Sequence, residues 1–364
     1  MPDASPTVLD LASDSVALTK AICDFPSVSG DETALADAIV AALAGASHLE
    51  VIRDGDTIVA RTNLGRARRV VIAGHIDTVP INKNLPSRFE TDADGTEYLW
   101  GRGTVDMKAG VAVQLKLAAE LVEPAYDLTW MWYDHEEVSA DLNGLRRLAE
   151  HRPDLFAGDF AILGEPSNGQ VEGGCNGTLR AEIRTKGLRA HTARSWMGEN
   201  AVHKLAPALA RLAAYEAETV EVDGLAYREG LNAVAVAGGV AGNVVPDEAV
   251  LTVNYRFAPS KSVAEASDIV RALFADYDVA IVDAADGARP GLDAALAQEF
   301  VAAVGAEARP KYGWTDVARF SALGVPAVNY GPGDPIKAHA DDERVPVSQI
   351  LDVERALRAW LTAD

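Results

Sequence analysis

The apolar run Leu128-Thr129-Trp130-Met131-Trp132 passes without a break into Tyr133-Asp134-His135-Glu136-Glu137. The run reads as a buried strand, and two adjacent carboxylates are costly at its end. Neighbouring side chains leave a strand on opposite faces, and a charged oxygen near a core needs a cation or hydrogen bonds to offset its lost hydration. A metal ion would supply that cation. Four more ligand-type residues lie at the edges of other apolar runs: His75, Asp106, Glu165 and His339.

Short β-rich runs at 69–74, 127–133 and 158–163 alternate with helical patterns at 31–45, 108–122 and 141–151, which predicts a layered α/β domain. From about residue 178 the order changes. A β run from Leu179, a helix over 199–216, β runs at 231–240 and 248–257, a helix over 262–275 and a strand at 278–283 follow the βαββαβ order of a ferredoxin-like unit. That unit is expected to fold by itself and to interrupt the first domain. After Pro290 come helices over 291–304 and 315–323, a strand at 325–330 and a last helix over 347–362. A chain of 364 residues accommodates two such domains.

Composition removes several functions. With 48% hydrophobic and 24% charged residues the chain reads as a soluble globular protein, and no apolar stretch is long enough for a membrane span. The first residues lack the basic and apolar regions of a secretion signal, so a cytoplasmic location is expected. Cys23 and Cys175 are too few for a disulfide framework and read as reduced thiols. A formal net charge of −21 without a basic stripe argues against a nucleic-acid partner. An anionic substrate must then be drawn in by metal ions or by a few arginines.

Each candidate ligand has an ordinary reading when taken alone. His75 follows Val70-Val71-Ile72-Ala73-Gly74 and precedes Asp77 by two, so it either caps a turn or ligates a metal with Asp77 orienting its ring. Asp106 either caps the next helix or ligates. Glu165 in Leu163-Gly164-Glu165-Pro166 and His339 in Lys337-Ala338-His339-Ala340-Asp341 could each be exposed and idle. The joint arrangement favours the metal. Asp106, Glu137 and Glu165 bring three negative charges, which with one hydroxide balance two divalent ions. Histidine and carboxylate donors without thiolate suit Zn²⁺, with Co²⁺ or Mn²⁺ as substitutes, and Cys175 is not expected among the ligands.

These residues in this order resemble the M20 family of dinuclear zinc aminoacylases and peptidases. The likeness runs through Gly74-His75-Ile76-Asp77-Thr78-Val79-Pro80, Gly101 to Lys108, Glu136-Glu137, Gly164-Glu165-Pro166 and His339. The resemblance implies an α/β, zinc-aminopeptidase-like catalytic domain of residues 1–177 plus 289–364, with a mixed central sheet flanked by helices. It implies a ferredoxin-like lid and dimerisation domain of residues 178–288, and a homodimer formed through it. It also puts His75 and Glu165 on one zinc, Glu137 and His339 on the other, and Asp106 between them. Asp77 orients His75, Glu136 is the general base, and the Asp106-Met107 peptide is cis.

In the lid, Gly187-Leu188-Arg189-Ala190-His191-Thr192-Ala193 resembles the family segment whose histidine stabilises the oxyanion in the partner subunit's site; otherwise His191 is a turn residue. Arg256 and Asn243 match lid positions that hold substrate carboxylates in relatives, and Thr315 is the corresponding candidate from the catalytic domain. Either lid residue could equally be a structural partner in the sheet. Asn82, Leu85-Pro86-Ser87-Arg88 and Gly313-Trp314-Thr315-Asp316 resemble the branch that removes succinyl groups from diaminopimelate. The substrate implied is a small anionic N-acyl amino acid. Acetylornithine deacetylation and carboxypeptidase or aminoacylase activity are the rival chemistries.

The chain departs from the family pattern at His135, where relatives often carry Asp, and at Val138, where Gly is usual. Both flank the glutamate pair. A noncatalytic metal-binding protein would not need Glu136, which is present. An oxidoreductase would need a glycine-rich phosphate loop before a helix, and Gly173-Gly174-Cys175-Asn176-Gly177 precedes a β run instead.

Overall fold

The structure, a computed structural model, describes residues 9–363. The chain divides into two compact units, Met1–Gly173 with Gly291–Arg309 and Arg319–Asp364, and Gly174–Pro290 with Pro310–Ala318.

The first unit is built on an eight-stranded mixed sheet. In spatial order its strands are Glu50–Asp54, Thr57–Arg61, Asp127–Tyr133, Arg69–His75, Phe160–Leu163, Ala327–Asn329, Glu172–Gly173 and Arg309–Pro310. The four central strands, from Asp127–Tyr133 to Ala327–Asn329, run parallel. Every residue of Asp127–Tyr133 is buried, as expected of a parallel strand covered on both faces. Helix Lys108–Glu120 packs into this core and is buried from Lys108 through Ala118. Phe160, Phe300 and Trp360 stack in the same core, with ring centroids 4.9 to 6.1 Å apart.

Several elements lay outside the sequence reading. Helix Ser15–Cys23, the hairpin Glu50–Asp54/Thr57–Arg61 and a small antiparallel sheet of Arg88–Thr91, Glu97–Trp100 and Arg344–Pro346 are all additional. The last of these places Arg344 opposite Trp100, which becomes important at the site.

The second unit has a four-stranded antiparallel sheet in the order Gly230–Gly238, Glu248–Phe257, Gly177–Lys186, Asp278–Ala285. Numbered by sequence this is 2-3-1-4, the ferredoxin-like arrangement, with helix Val263–Leu273 closed at its start by a Ser262/Glu265 capping box. Leu179, Ile183, Leu251, Val253, Phe257, Val270 and Phe274 form its core. The helix expected over 199–216 is two pieces, Ala201–Lys204 and Ala206–Ala213, because Pro207 has no N–H to continue the first. A further hairpin, Thr219–Val222/Leu225–Arg228, turns at Asp223-Gly224, both with positive φ, as an Asp-Gly pair between two short β runs favours.

Thr315 groups with the second unit rather than with the catalytic domain, where the sequence reading had placed it. Hydrogen bonds explain the difference. Cys175 and Ala288 exchange backbone bonds, Asn176 N–H donates to Lys311 O, and Trp314 Nε1–H donates to Asp286 O. Residues 310–318 are thereby tied to both ends of the inserted unit.

Candidate metal centre

Strand register brings the first ligand candidates to one level. His75 pairs with Tyr133 and Ala73 with Leu163, so His75, the turn 134–137 and Glu165 all leave the sheet at its carboxyl edge. Open α/β sheets place their sites there because the parallel strands end together and the loops diverge above them. Asp106 arrives differently. It lies two residues before helix Lys108–Glu120, whose N-cap is Met107, so its side chain is free of capping duty.

Two glycines allow that helix to approach. A Cβ on Gly110 would lie 2.2 Å from Gly164 O, and one on Gly164 would lie 2.5 Å from Gln114 Nε2. A side chain at Gly110 would push the helix start away from the strand end beside Glu165, and one at Gly164 would displace the Gln114 and Met107 side chains packed there. The Asp106-Met107 peptide is cis, as the resemblance implied. Lys108 is buried and donates to Phe25 O at 2.7 Å.

The side chains form three overlapping groups whose candidate ligand atoms lie within 4.8 Å of one another: His75/Asp106/Glu165, His75/Glu136/Glu137 and Asp106/Glu137/His339. The carboxylate of Asp106 joins the first to the third. Its Oδ1 is 3.1 Å from His75 Nε2 and its Oδ2 is 3.3 Å from His339 Nε2. Glu137 Oε1 is 3.0 Å from the same His339 nitrogen. His75 is buried, whereas the His339 side chain is 53% exposed. The set fits two divalent cations sharing one carboxylate, with borderline nitrogen and hard oxygen donors in each group.

Asp77 does more than the sequence suggested. His75 Nδ1 lies 3.0 Å from Asp77 O and 3.4 Å from Asp77 Oδ1, which leaves Nε2 directed at Asp106. The Asp77 carboxylate also accepts the amide N–H of Glu136 at 3.0 Å, that of Glu137 at 3.1 Å and the Ser29 hydroxyl at 2.6 Å. Burial alone would raise its pKa, but the His75, Ser29 and Glu136 bonds hold it below the usual carboxylate range. Glu32 completes the turn by accepting the amide N–H of His135 at 3.1 Å and that of Gly30 at 2.8 Å. His135 has φ 57 and places its Nδ1 2.7 Å from Asp134 Oδ2. Two buried carboxylates thus hold three consecutive amides at the glutamate pair.

A model of peptidase family M20/M25/M40 matches residues 71–363. The chain belongs to this family. It is 48% identical to the succinyl-diaminopimelate desuccinylase of Corynebacterium glutamicum, covering 97% of this chain and 98% of that one. It is 54% identical to a Mycobacterium tuberculosis protein provisionally named succinyl-diaminopimelate desuccinylase, covering 97% and 99% respectively. Among solved structures it resembles a Staphylococcus aureus tripeptidase, with a TM-score of 0.76 at 20% identity over 96% of this chain and 97% of that one. Across the M20/M25/M40 match the site residues from His75 to His339 all lie within the matched span.

Other expected site residues of this M20 member lie in the second unit. His191 is exposed and its Nδ1 accepts the Ala193 N–H at 3.0 Å, which leaves the proton of the neutral ring on Nε2. Asn243 is exposed, and its carbonyl accepts the Thr192 N–H at 3.0 Å. The Arg256 guanidinium is half-buried, donates from Nε to Asn254 Oδ1 at 3.1 Å and has no carboxylate partner among the described residues. Burial draws its pKa down. Thr315 is buried, with its carbonyl 3.7 Å from Cys175 Sγ. Cys175 is in none of the metal-ligand groups, and burial pushes its thiol up to about 11.

The two histidines of the cluster attract protons that compete with a cation. His339 is raised to about 10 by hydrogen bonds to Asp106 and Glu137. Burial opposes protonation of His75, but the Asp106 and Asp77 contacts outweigh it and raise its pKa well above the ordinary value. At pH 7 the His339 ring therefore carries a proton on its ligating nitrogen that a cation must displace. Metal uptake is expected to release protons, with affinity increasing as pH rises toward 10 and falling as it drops. Calorimetry in buffers of different protonation enthalpy reads this directly, and uptake without proton release would contradict it.

Sequence reasoning missed Ser29, Glu32, Arg102 and Glu343. No spacing pattern signals the first two, because they approach the site only through folding. Arg102 lay inside the motif Gly101 to Lys108 but had no assigned task.

Proposed function

We propose that this chain is a succinyl-diaminopimelate desuccinylase, a hydrolase that converts N-succinyl-LL-2,6-diaminopimelate and water to succinate and LL-2,6-diaminopimelate. The observation that carries the chemistry is the Asp106 carboxylate spanning His75 and His339 beside the Glu136-Glu137 pair. The substrate is inferred from the two relatives of that name.

In this reading His75 and Glu165 hold one cation, Glu137 and His339 hold the other, and Asp106 is shared. Divalent ions held there, Zn²⁺ with Co²⁺ or Mn²⁺ as substitutes, would supply Lewis-acid polarisation of the scissile carbonyl and a lowered pKa for the attacking water. Glu136 accepts the proton of that water and delivers it to the departing amine, a task that suits a carboxylate whose backbone is pinned by Asp77. In this proposal residues 1–177 plus 289–364 are the catalytic domain and 178–288 the lid, except that Pro310–Ala318, with Thr315, groups with the lid unit. Arg256 pairs with a substrate carboxylate, for which its unpaired, half-buried guanidinium is suited, and Asn243 and Thr315 assist.

A homodimer through the second unit belongs to the same proposal. Strand Gly230–Gly238 lies at the edge of its sheet, and its residues from Asn232 onward are exposed, including Val234 and Val236. An open apolar edge of this kind invites a second copy. His191 of the partner subunit then donates from Nε2 to the developing oxyanion. Among the described residues no helix is long and apolar enough to cross a membrane. Two free, buried thiols suit a reducing compartment, and we place the protein in the cytoplasm.

The test is a comparison of kcat/KM after chelation and restoration of Zn²⁺. Acetylornithine and simple dipeptides lack the succinyl carboxylate, so they leave a binding cation unpaired and are expected to react about 10²-fold more slowly or worse than succinyl-diaminopimelate. Equal or faster turnover of either rival would reassign the substrate.

A further inference from the structure

Arg102 and Glu343 supply no atom to any of the metal-ligand groups, yet their side chains are only 4% and 1% exposed. We infer that this ion pair is a positioning device that sets Asp106 against His339 and so governs the cation site which those two share with Glu137. The inference rests on the metal-centre reading above.

The pair links the two segments that carry those ligands. Arg102 Nη1 donates to Glu343 Oε2 at 2.7 Å. Glu343 Oε1 accepts the amide N–H of Val105 at 2.9 Å and that of Asp106 at 3.1 Å. On the other side, Arg102 Nη1 donates to Ala340 O at 3.3 Å and Nη2 to His339 O at 3.4 Å. The glutamate therefore holds the backbone of one ligand and the arginine that of the other. Both segments spring from one strand pair, Trp100 opposite Arg344, and Gly101 N–H donates to Glu343 O at 3.0 Å just beyond it.

His339 needs such a hold more than its neighbours do. Its φ is 64 and its side chain is 53% exposed, so neither helix, strand nor packing fixes its ring. His75 ends a central strand, Glu165 follows another, and Glu137 has its amide held by Asp77. A buried ion pair contributes little net stability compared with an apolar pair of similar volume, so stability alone gives weak reason for this one. Its other hydrogen bonds go to the backbone of the segments that carry two ligands. Loosening it disturbs the Asp106/Glu137/His339 group first, and the His75/Asp106/Glu165 group much less.

Three full-length variants test this. Arg102→Lys keeps the buried cation but loses the planar fork that spans Glu343 and two carbonyls. Arg102→Met with Glu343→Leu removes both charges together, and Glu343→Gln keeps the shape while ending the ion pair. Zn²⁺ and Co²⁺ titrations by calorimetry would be read beside thermal unfolding of the metal-free proteins. Each folded variant is expected to keep one tight equivalent while the second weakens about 10–100-fold. Two equivalents bound with wild-type affinity in the folded variants would overturn the inference, as would equal weakening of both. A wild-type protein that takes up fewer than two equivalents would instead overturn the metal-centre reading beneath it.

Discussion

Replacing Glu136 with Gln is expected to lower kcat by about 10²–10⁴-fold while the protein still takes up both metal equivalents. Gln has the same shape and keeps the backbone N–H bond to Asp77 Oδ1, so the turn should stay where it is. What it loses is the basic oxygen. The groups His75/Asp106/Glu165 and Asp106/Glu137/His339 each have three candidate donors without Glu136, which is why binding should survive. KM should change little, since a proton transfer in the transition state contributes little to ground-state binding. Steady-state rates measured beside metal content decide the matter. Full turnover in a variant with both equivalents bound would remove Glu136 from the mechanism.

The second large effect is expected at Asp106. In Asp106→Asn one of the two oxygens that face His75 and His339 becomes an NH₂, which cannot ligate a cation. The substitution also removes one negative charge from the cluster. On the proposed two-cation reading, bound metal should fall from two equivalents to at most one, and turnover should drop by about 10²-fold or more because each cation would contribute to activating the carbonyl or the water. Calorimetric stoichiometry is the measurement. Retention of two equivalents at wild-type affinity would show that Asp106 is not shared.

Much of this site was legible before folding because its residues sit at the ends of readable elements. His75 closes the strand Arg69–His75, Glu136 and Glu137 follow Asp127–Tyr133, and Glu165 follows Phe160–Leu163. Parallel strands that end together must bring such residues near one another, so alternation and apolar runs were sufficient to suspect a cluster. His339 was different. It lies ten residues beyond strand Ala327–Asn329 in an irregular segment, so its residue type marked it as a candidate ligand but no strand end fixed where it would fall. Thr315 shows the opposite failure, because its place in the chain suggested the first domain and its hydrogen-bonded neighbours assign it to the second.

The sequence by itself determined the central parallel strands of the first unit, the ferredoxin-like order of the second unit and the types of donor available, because strand and helix periods and local apolar runs are short-range properties of a chain. Only the tertiary structure decided that the two Asp106 oxygens face different histidines, that Asp77 and Glu32 hold the amides of the glutamate turn, and that Arg102 meets Glu343. Those contacts join residues 31 to 241 positions apart. Their geometry is set by strand register, by glycines that permit close packing and by buried charges seeking partners, and none of these leaves a periodic mark in the chain.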